Sequence, residues 1–205
     1  GTGGHGHTFP GAVVPHGMIQ PSPDTRIDGW DACSGYYYAD STINGFSHTH
    51  VSGTGCCDYG DVLLMPTVGK QQYRTTDPQS QRLAYASSFS HKNEIAEPGY
   101  YSVFLDTYQV KAEISSTKRG AIHRYTFPEN AESGFIIDLD YSLQRQTNSE
   151  MEIEVISDTE ICGHKKTTYW AFDQYINFYA KFSKPFSYTL VTDSITMDNG
   201  KRLPV

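Results

Sequence analysis

Tyr108-Gln109-Val110-Lys111-Ala112-Glu113-Ile114-Ser115 is the stretch that decides the fold. Val110, Ala112 and Ile114 fall on one face, and Lys111, Glu113 and Ser115 on the other. Side chains alternate with a period of two along a strand, so this is a strand with one buried and one wet face. The same period continues to either side. Toward the N-terminus, Tyr100 to Leu105 follows the turn Glu97-Pro98-Gly99, and Leu83 to Phe89 and Val62 to Met65 read as further strands. Toward the C-terminus, Ala121 to Phe127 stops at Pro128. Phe135 to Leu139, Met151 to Ile156, Thr168 to Phe172, Tyr175 to Phe182 and Tyr188 to Thr192 follow. A single helical turn suggests itself, between residues 76 and 83. Short strands with turn signals at regular spacing predict an all-β fold, an antiparallel β-sandwich.

Composition agrees. The chain has 205 residues, 38% of them apolar. A domain of this size hides roughly 70% of its unfolded surface, so a core can form without metal or disulfide staples. Fifteen Tyr and a charged fraction of 19% do not describe a helical or disordered protein. The net charge of −7 argues against nucleic-acid binding, which needs a basic patch. No apolar run approaches the ~20 residues of a membrane span. The chain begins at Gly1 and stops at Val205, soon after the turn signal Asp198-Asn199-Gly200-Lys201. A hairpin turn calls for a full strand after it, so residues 1–205 are expected to be one domain of a longer polypeptide.

The first 60 residues differ in kind. They hold twelve of the eighteen Gly, and the first 50 hold five of the eight His. Such Gly and Pro density forbids long helices. A long Gly-rich loop region at the N-terminus of a compact domain is usually a functional surface. Cys33, Cys56, Cys57 and Cys162 contain no Cys-x-x-Cys, which excludes a zinc ribbon. One disulfide or four free thiols both fit.

Each motif here has a functional and a plain reading. Gly1-x-Gly3-x-x-Gly6 matches the dinucleotide fingerprint but lacks the strand before it and the helix after it. A loop whose backbone approaches a ligand or another domain explains it better. His5/His7 and His48/His50 are His-x-His pairs that could share a metal with Asp24, Asp58 or Cys57, or serve as ordinary hydrogen-bonding residues. Ser52 lies outside any Gly-x-Ser-x-Gly elbow. Cys56 or Cys57 with His50 and Asp58 could imitate a thiol dyad or be small buried hydrophobes. Trp30 and Tyr36-Tyr37-Tyr38, among Asp28, Asp31 and glycines, suit either a sugar platform or a folded-back loop core.

Five separated blocks carry a more specific signal. They are Gly1-Thr2-Gly3-Gly4-His5-Gly6-His7-Thr8-Phe9-Pro10-Gly11-Ala12; Gly29-Trp30-Asp31 with Cys33-Ser34-Gly35-Tyr36; Gly45-Phe46-Ser47-His48-Thr49-His50 with Ser52-Gly53-Thr54-Gly55-Cys56; Thr117-Lys118-Arg119 with His123 to Pro128; and Phe182-Ser183-Lys184-Pro185-Phe186. Over essentially its whole length the chain resembles the N-terminal domain of glycoside hydrolase family 92 α-mannosidases. The resemblance implies a β-sandwich joined to a larger C-terminal (α/α)6-type domain. It implies a secreted or periplasmic bacterial enzyme that removes terminal mannose from mannose-containing glycans by a calcium-dependent, inverting route. The active site is expected at the domain junction, with the acid, the base and the calcium ligands from the helical domain. No catalytic or metal-binding residue is therefore expected in this chain, and the fragment alone is expected to be inactive. Its expected share is a sugar-binding wall of Gly4, His5, Asp24, Trp30, His48 and His50, with Phe9, Trp30 and Tyr36 exposed for docking. Two rivals stand beside this: a stand-alone carbohydrate-binding or interaction module, and a self-sufficient metal-dependent hydrolase using the His-x-His pairs.

Overall fold

The structure is a computed structural model that describes residues 1–70, 73, 80–192, 196–198 and 201–203. It is 43% strand and 3% helical, with antiparallel sheets. The chain divides into two units: residues 1–148 with 167–174, and residues 149–166 with 175–205.

The larger unit holds two sheets. Strands β1 (Ser22–Asp24), β2 (Thr42–Ile43), β3 (Gly45–Ser47), β4 (Leu63–Val68) and β5 (Ser87–Glu97) come first. Then follow β6 (Tyr100–Leu105), β7 (Val110–Ser116), β8 (Ala121–Thr126) and β9 (Ser133–Asp138). One sheet has the order β1-β3-β4-β9 and the other β2-β5-β6-β7-β8. The alternation that announced β7 is realised: Val110, Ala112 and Ile114 lose all or nearly all exposure. They join Val103, Leu105 and Tyr101 of β6 and Phe89 of β5 in one core with Phe46, Leu63 and Met65 of the facing sheet. Phe46 meets Tyr101 edge-on with ring centroids 6.3 Å apart, and Tyr125 of β8 meets Phe135 of β9 at 5.3 Å. These aromatic contacts join the two layers of the expected β-sandwich.

On the other face of β7, Glu113 ties three strands together. It accepts hydrogen bonds from Tyr100 Oη at 2.9 Å and from Arg124 Nη2 at 2.7 Å and Nε at 2.8 Å. The Arg124 guanidinium, then the Tyr100 hydroxyl, pull its carboxyl down to about 2.

The smaller unit holds most of the sheet β10 (Thr147–Val155), β11 (Glu160–Thr168) and β12 (Gln174–Lys181), in that order, and the sheet β13 (Thr189–Val191), β14 (Thr196–Asp198) and β15 (Lys201–Leu203).

Two expected strands change place. Leu83 to Ala86 form a turn, Ala86 N–H donating to Leu83 O at 3.0 Å, and the strand starts at Ser87. Buried Asn44 captures this segment, accepting from Leu83 N–H at 2.8 Å and donating to Gln81 O at 2.9 Å. Strand β11 ends at Thr168, and residues 169–172 turn because Asp58 accepts from Trp170 N–H and Ala171 N–H. The run Tyr169-Trp170-Ala171-Phe172 is an exposed turn rather than a strand. Of the single helical turn expected at 76–83, residues 76–79 lie outside the described residues, and 80–83 are not helical. The central residues of the turn signal Asp198 to Lys201 also lie outside them.

Candidate functional site

Most of residues 1–60 is irregular, as its glycines require, but three short strands cross it and give it anchors. The first loop is fastened at its end. His7 O accepts from Gly53 N–H at 2.6 Å, and the Ser34 hydroxyl bridges His7 O and Val51 O at 2.5 and 2.8 Å. Thr2 O accepts from Tyr38 N–H at 2.9 Å. Between these ties stand Gly4, exposed at φ +57° with open space beside it, and His5.

Trp30 opens a short 3-10 turn, Trp30–Ala32, and the residue is 58% exposed. The His5 ring lies 5.1 Å from it, tilted, and the His7 ring meets it edge-on at 4.3 Å. His5 Nδ1 contacts Asp31 Oδ1. A Cβ on Gly55 would come within 3.2 Å of Trp30 Nε1, so the Gly53–Gly55 loop lies directly against the indole. The result is a solvent-facing indole braced by two imidazoles and a backbone loop. One exposed imidazole is held by a carboxylate. Flat apolar faces beside polar groups bind sugars, whose C–H faces stack on the ring while hydroxyls find donors and acceptors.

Asp24 and His50 sit elsewhere in this region, and both side chains are wholly buried. His50 Nδ1 lies 2.7 Å from Gln20 O, so Nδ1 carries a hydrogen. His50 Nε2 lies 2.8 Å from Asp24 Oδ1. Ser47 Oγ stands 3.1 Å from the same nitrogen, and the Tyr141 hydroxyl faces Asp24. Gly35 closes this cluster at φ +87°: a Cβ there would fall 2.0 Å from Asp24 Oδ1, so no other residue fits.

His48 pairs with a residue distant in sequence. Its Nδ1 donates to Val62 O at 2.7 Å, and its Nε2 accepts from His123 Nε2 at 3.2 Å. His123 Nδ1 in turn accepts from the Tyr125 hydroxyl at 2.8 Å. This chain of donors leaves both imidazoles neutral. Burial pushes the pKa of each below the ordinary histidine value, for His123 well below.

The structure thus brings Gly4, His5 and Trp30 onto one solvent-facing wall. It puts Asp24 and His50 together in the interior, and His48 in a separate half-buried pair. Sequence reasoning missed His7, Ser34 and Gly55 as supports of the wall. Asp31 was legible as the acid next to Trp30, whereas nothing local told that His7 turns inward and His5 outward. The docking expectation fails for Tyr36, which is only 2% exposed, because its hydroxyl is drawn to Glu94 at 3.0 Å. Phe9 is half-buried against His50, with ring centroids 4.8 Å apart.

The two His-x-His pairs do not converge on a metal. His48 and His50 spend their ring nitrogens on different partners, and His5 and His7 differ in exposure. Among the described residues, no three His, Cys, Asp or Glu side chains are placed to hold an ion. The loop acids are each tied to other groups: Asp28 to Arg145, Asp31 to His5, Asp58 to backbone N–H groups and Gln174 Nε2, and Asp61 to Thr49 and Thr167. Nor does any such cluster among the described residues suit calcium.

Compared with known proteins, residues 1–203 match the glycosyl hydrolase family 92 N-terminal domain. The chain belongs to that family. A family GH92 α-mannosidase from Bacteroides thetaiotaomicron, solved in complex with mannoimidazole, is 37% identical with a TM-score of 0.86. The match covers 99% of this chain and 26% of that one. The family GH92 inverting mannosidase of Bacteroides thetaiotaomicron VPI-5482 is 26% identical with a TM-score of 0.74, over 97% of this chain and 25% of its own. An uncharacterized secreted glycosidase of Arthroderma benhamiae is 32% identical over 133 residues, which is 63% of this chain and 16% of that protein. This GH92 N-terminal domain therefore spans about a quarter of the solved mannosidases it matches. Among its described residues, no helix is long and apolar enough to cross a membrane.

Proposed function

We propose that this domain supplies one wall of the sugar site of a calcium-dependent, inverting exo-α-mannosidase acting on mannose-containing glycans. The exposed, braced indole of Trp30 carries this reading, in a chain whose solved relatives are named α-mannosidases. The sugar's apolar face rests on Trp30. His5 Nε2 and the Gly4 backbone meet its hydroxyls, and Asp31 holds the His5 ring in place from Nδ1. Asp24, His50 and His48 act from behind, fixing the loops that present the wall.

Inverting hydrolysis needs two carboxyl groups roughly 6.5–9.5 Å apart, one to protonate the leaving oxygen and one to activate water. The acids in the Gly-rich loops are already tied to other groups, so we assign the acid, the base and the calcium ligands to a C-terminal (α/α)6-type domain of the full-length protein. The chain alone would then be inactive. The setting belonging to this reading is secreted or periplasmic and bacterial; the Arthroderma benhamiae relative named as secreted supports its secreted part. The rival reading, a binding module without catalysis, shares the exposed Trp30 but predicts mannoside binding by this chain alone.

The test is Trp30→Ala and His5→Ala in the full-length protein. Losing one stacking or hydrogen-bonding contact should lower kcat/KM roughly ten- to hundred-fold, about 1–3 kcal/mol of transition-state stabilisation. If both variants fold and keep wild-type kcat/KM, the wall is scaffold and the reading fails.

A further inference from the structure

A second group of exposed rings stands on the turn Tyr169-Trp170-Ala171-Phe172, in the larger unit. Tyr169, Trp170 and Phe172 are 43%, 69% and 78% exposed. The turn is pinned from beneath. Asp58, itself buried, accepts from Trp170 N–H at 3.1 Å, Ala171 N–H at 3.3 Å and Gln174 Nε2 at 3.2 Å. Thr168 Oγ1 donates to Phe172 O at 2.8 Å, and Tyr169 N–H donates to Ala171 O at 3.1 Å. Each residue of the turn is thus tied through its backbone, and the rings are held out in water. At about 150–250 Å² for each aromatic side chain, they leave roughly 400 Å² of apolar surface outward. A patch of that size marks a place that something covers.

The chemistry of the patch says what covers it. Phe172, the most exposed of the three, has no hydrogen-bonding group, and Asp58 Oδ1 is spent on the turn's own backbone. A sugar needs polar partners around the ring. A tight cluster of Trp, Tyr and Phe is instead the composition of a protein contact core. The turn also shares its foundation with the sugar wall. Asp58 comes three residues after Gly55, which lies against the Trp30 indole. Gln146 Nε2 fixes the stretch around Asp58, donating to Cys57 O and to Tyr59 O, the latter at 3.1 Å. This chain covers only 26% and 25% of two solved mannosidases, so most of such a full-length relative lies outside it.

We propose that Tyr169, Trp170 and Phe172 form the knob on which the C-terminal domain of the full-length protein docks. The proposal rests on the reading above, in which that domain brings the chemistry to the Trp30 wall. Contact on the turn bears on Asp58, and the loop from Asp58 back to Gly55 carries it to the indole. Interfaces between domains of one chain bury about 600–1,500 Å² in all, so this turn supplies a large share of one side.

The experiment is hydroxyl-radical footprinting of the full-length protein, read by mass spectrometry against the same protein in denaturant. Without sugar, Trp170 and Phe172 should label roughly tenfold more slowly than in denaturant, because contact cores pack as tightly as interiors. Phe172→Asp, which puts a charge into the contact, should restore the labelling of Trp170, and Phe172→Leu should keep the protection. The wild-type footprint stands whether or not the Asp variant folds. Labelling of Trp170 and Phe172 at the denaturant rate overturns the proposal. So does protection that comes only with an added mannose oligosaccharide, which makes the turn a sugar subsite, or that fades on dilution, which makes it a contact between copies. The footprint reads contact and not turnover. A protected turn in a protein that leaves α-mannosides intact would keep the docking contact and sink the proposed function.

Discussion

Trp30 and Asp24 lie in the same Gly-rich region, yet they invite opposite experiments. Trp30 is exposed, so Trp30→Ala should leave stability within about 0.5 kcal/mol of wild type, as surface substitutions usually do. Its cost falls on kcat/KM. Asp24 is sealed against His50, so Asp24→Ala leaves His50 Nε2 with only the Ser47 hydroxyl beside it and should cost about 3–5 kcal/mol in denaturant unfolding. Equal stability losses in the two variants would contradict the division into a wall and its support. Which His and Asp residues face solvent was not written in the sequence. Asp24 and Trp30 both sit between glycines and prolines, and their burial depends on Gln20, Ser47 and Gly35, which chain topology brings in. The Trp30-Asp31 neighbours were visible in the sequence, but their composition left a sugar platform and a folded-back loop core equally open.

At the scale of elements, the His48–His123 pair couples the end of β3 to β8 and should give stability a pH dependence. Both imidazoles stay neutral in the fold because burial lowers their pKa, while the unfolded chain takes up protons near the ordinary value of 6.5. The unfolded state then binds more protons, so stability falls as pH drops below about 6.5. Glu113 adds a second loss in stronger acid. Its depressed carboxyl stabilises the fold above about 4.5, and that contribution disappears as pH falls from 4.5 toward 2. Melting temperature measured from pH 8 to pH 5 should fall, and His123→Phe should flatten the curve over that range. An unchanged slope would mean that the pair is protonated in the fold. The strands themselves were the most legible elements. β6, β7 and β8 stand within two residues of their expected bounds, because one face of each packs on the core and fixes the period. β11 was missed because His164, Lys165 and Lys166 interrupt its apolar alternation. The aromatic run after it resembled a strand until Asp58 bent it into a turn.

Over the whole molecule, the proposed function gives this domain the sugar wall and leaves the chemistry to a C-terminal domain. The fold was legible from periodicity, and the family from five dispersed blocks. The chemistry was not, since the loop acids here are tied up singly and match no acid/base pair. The direct measurement compares the full-length protein with residues 1–205 alone on an aryl α-mannoside, with calcium present. The full-length protein should release the aryl group, and the domain alone should release none. Turnover by the domain alone, abolished by replacing one of its own carboxylates, would contradict the account, as would a full-length protein that leaves α-mannosides intact.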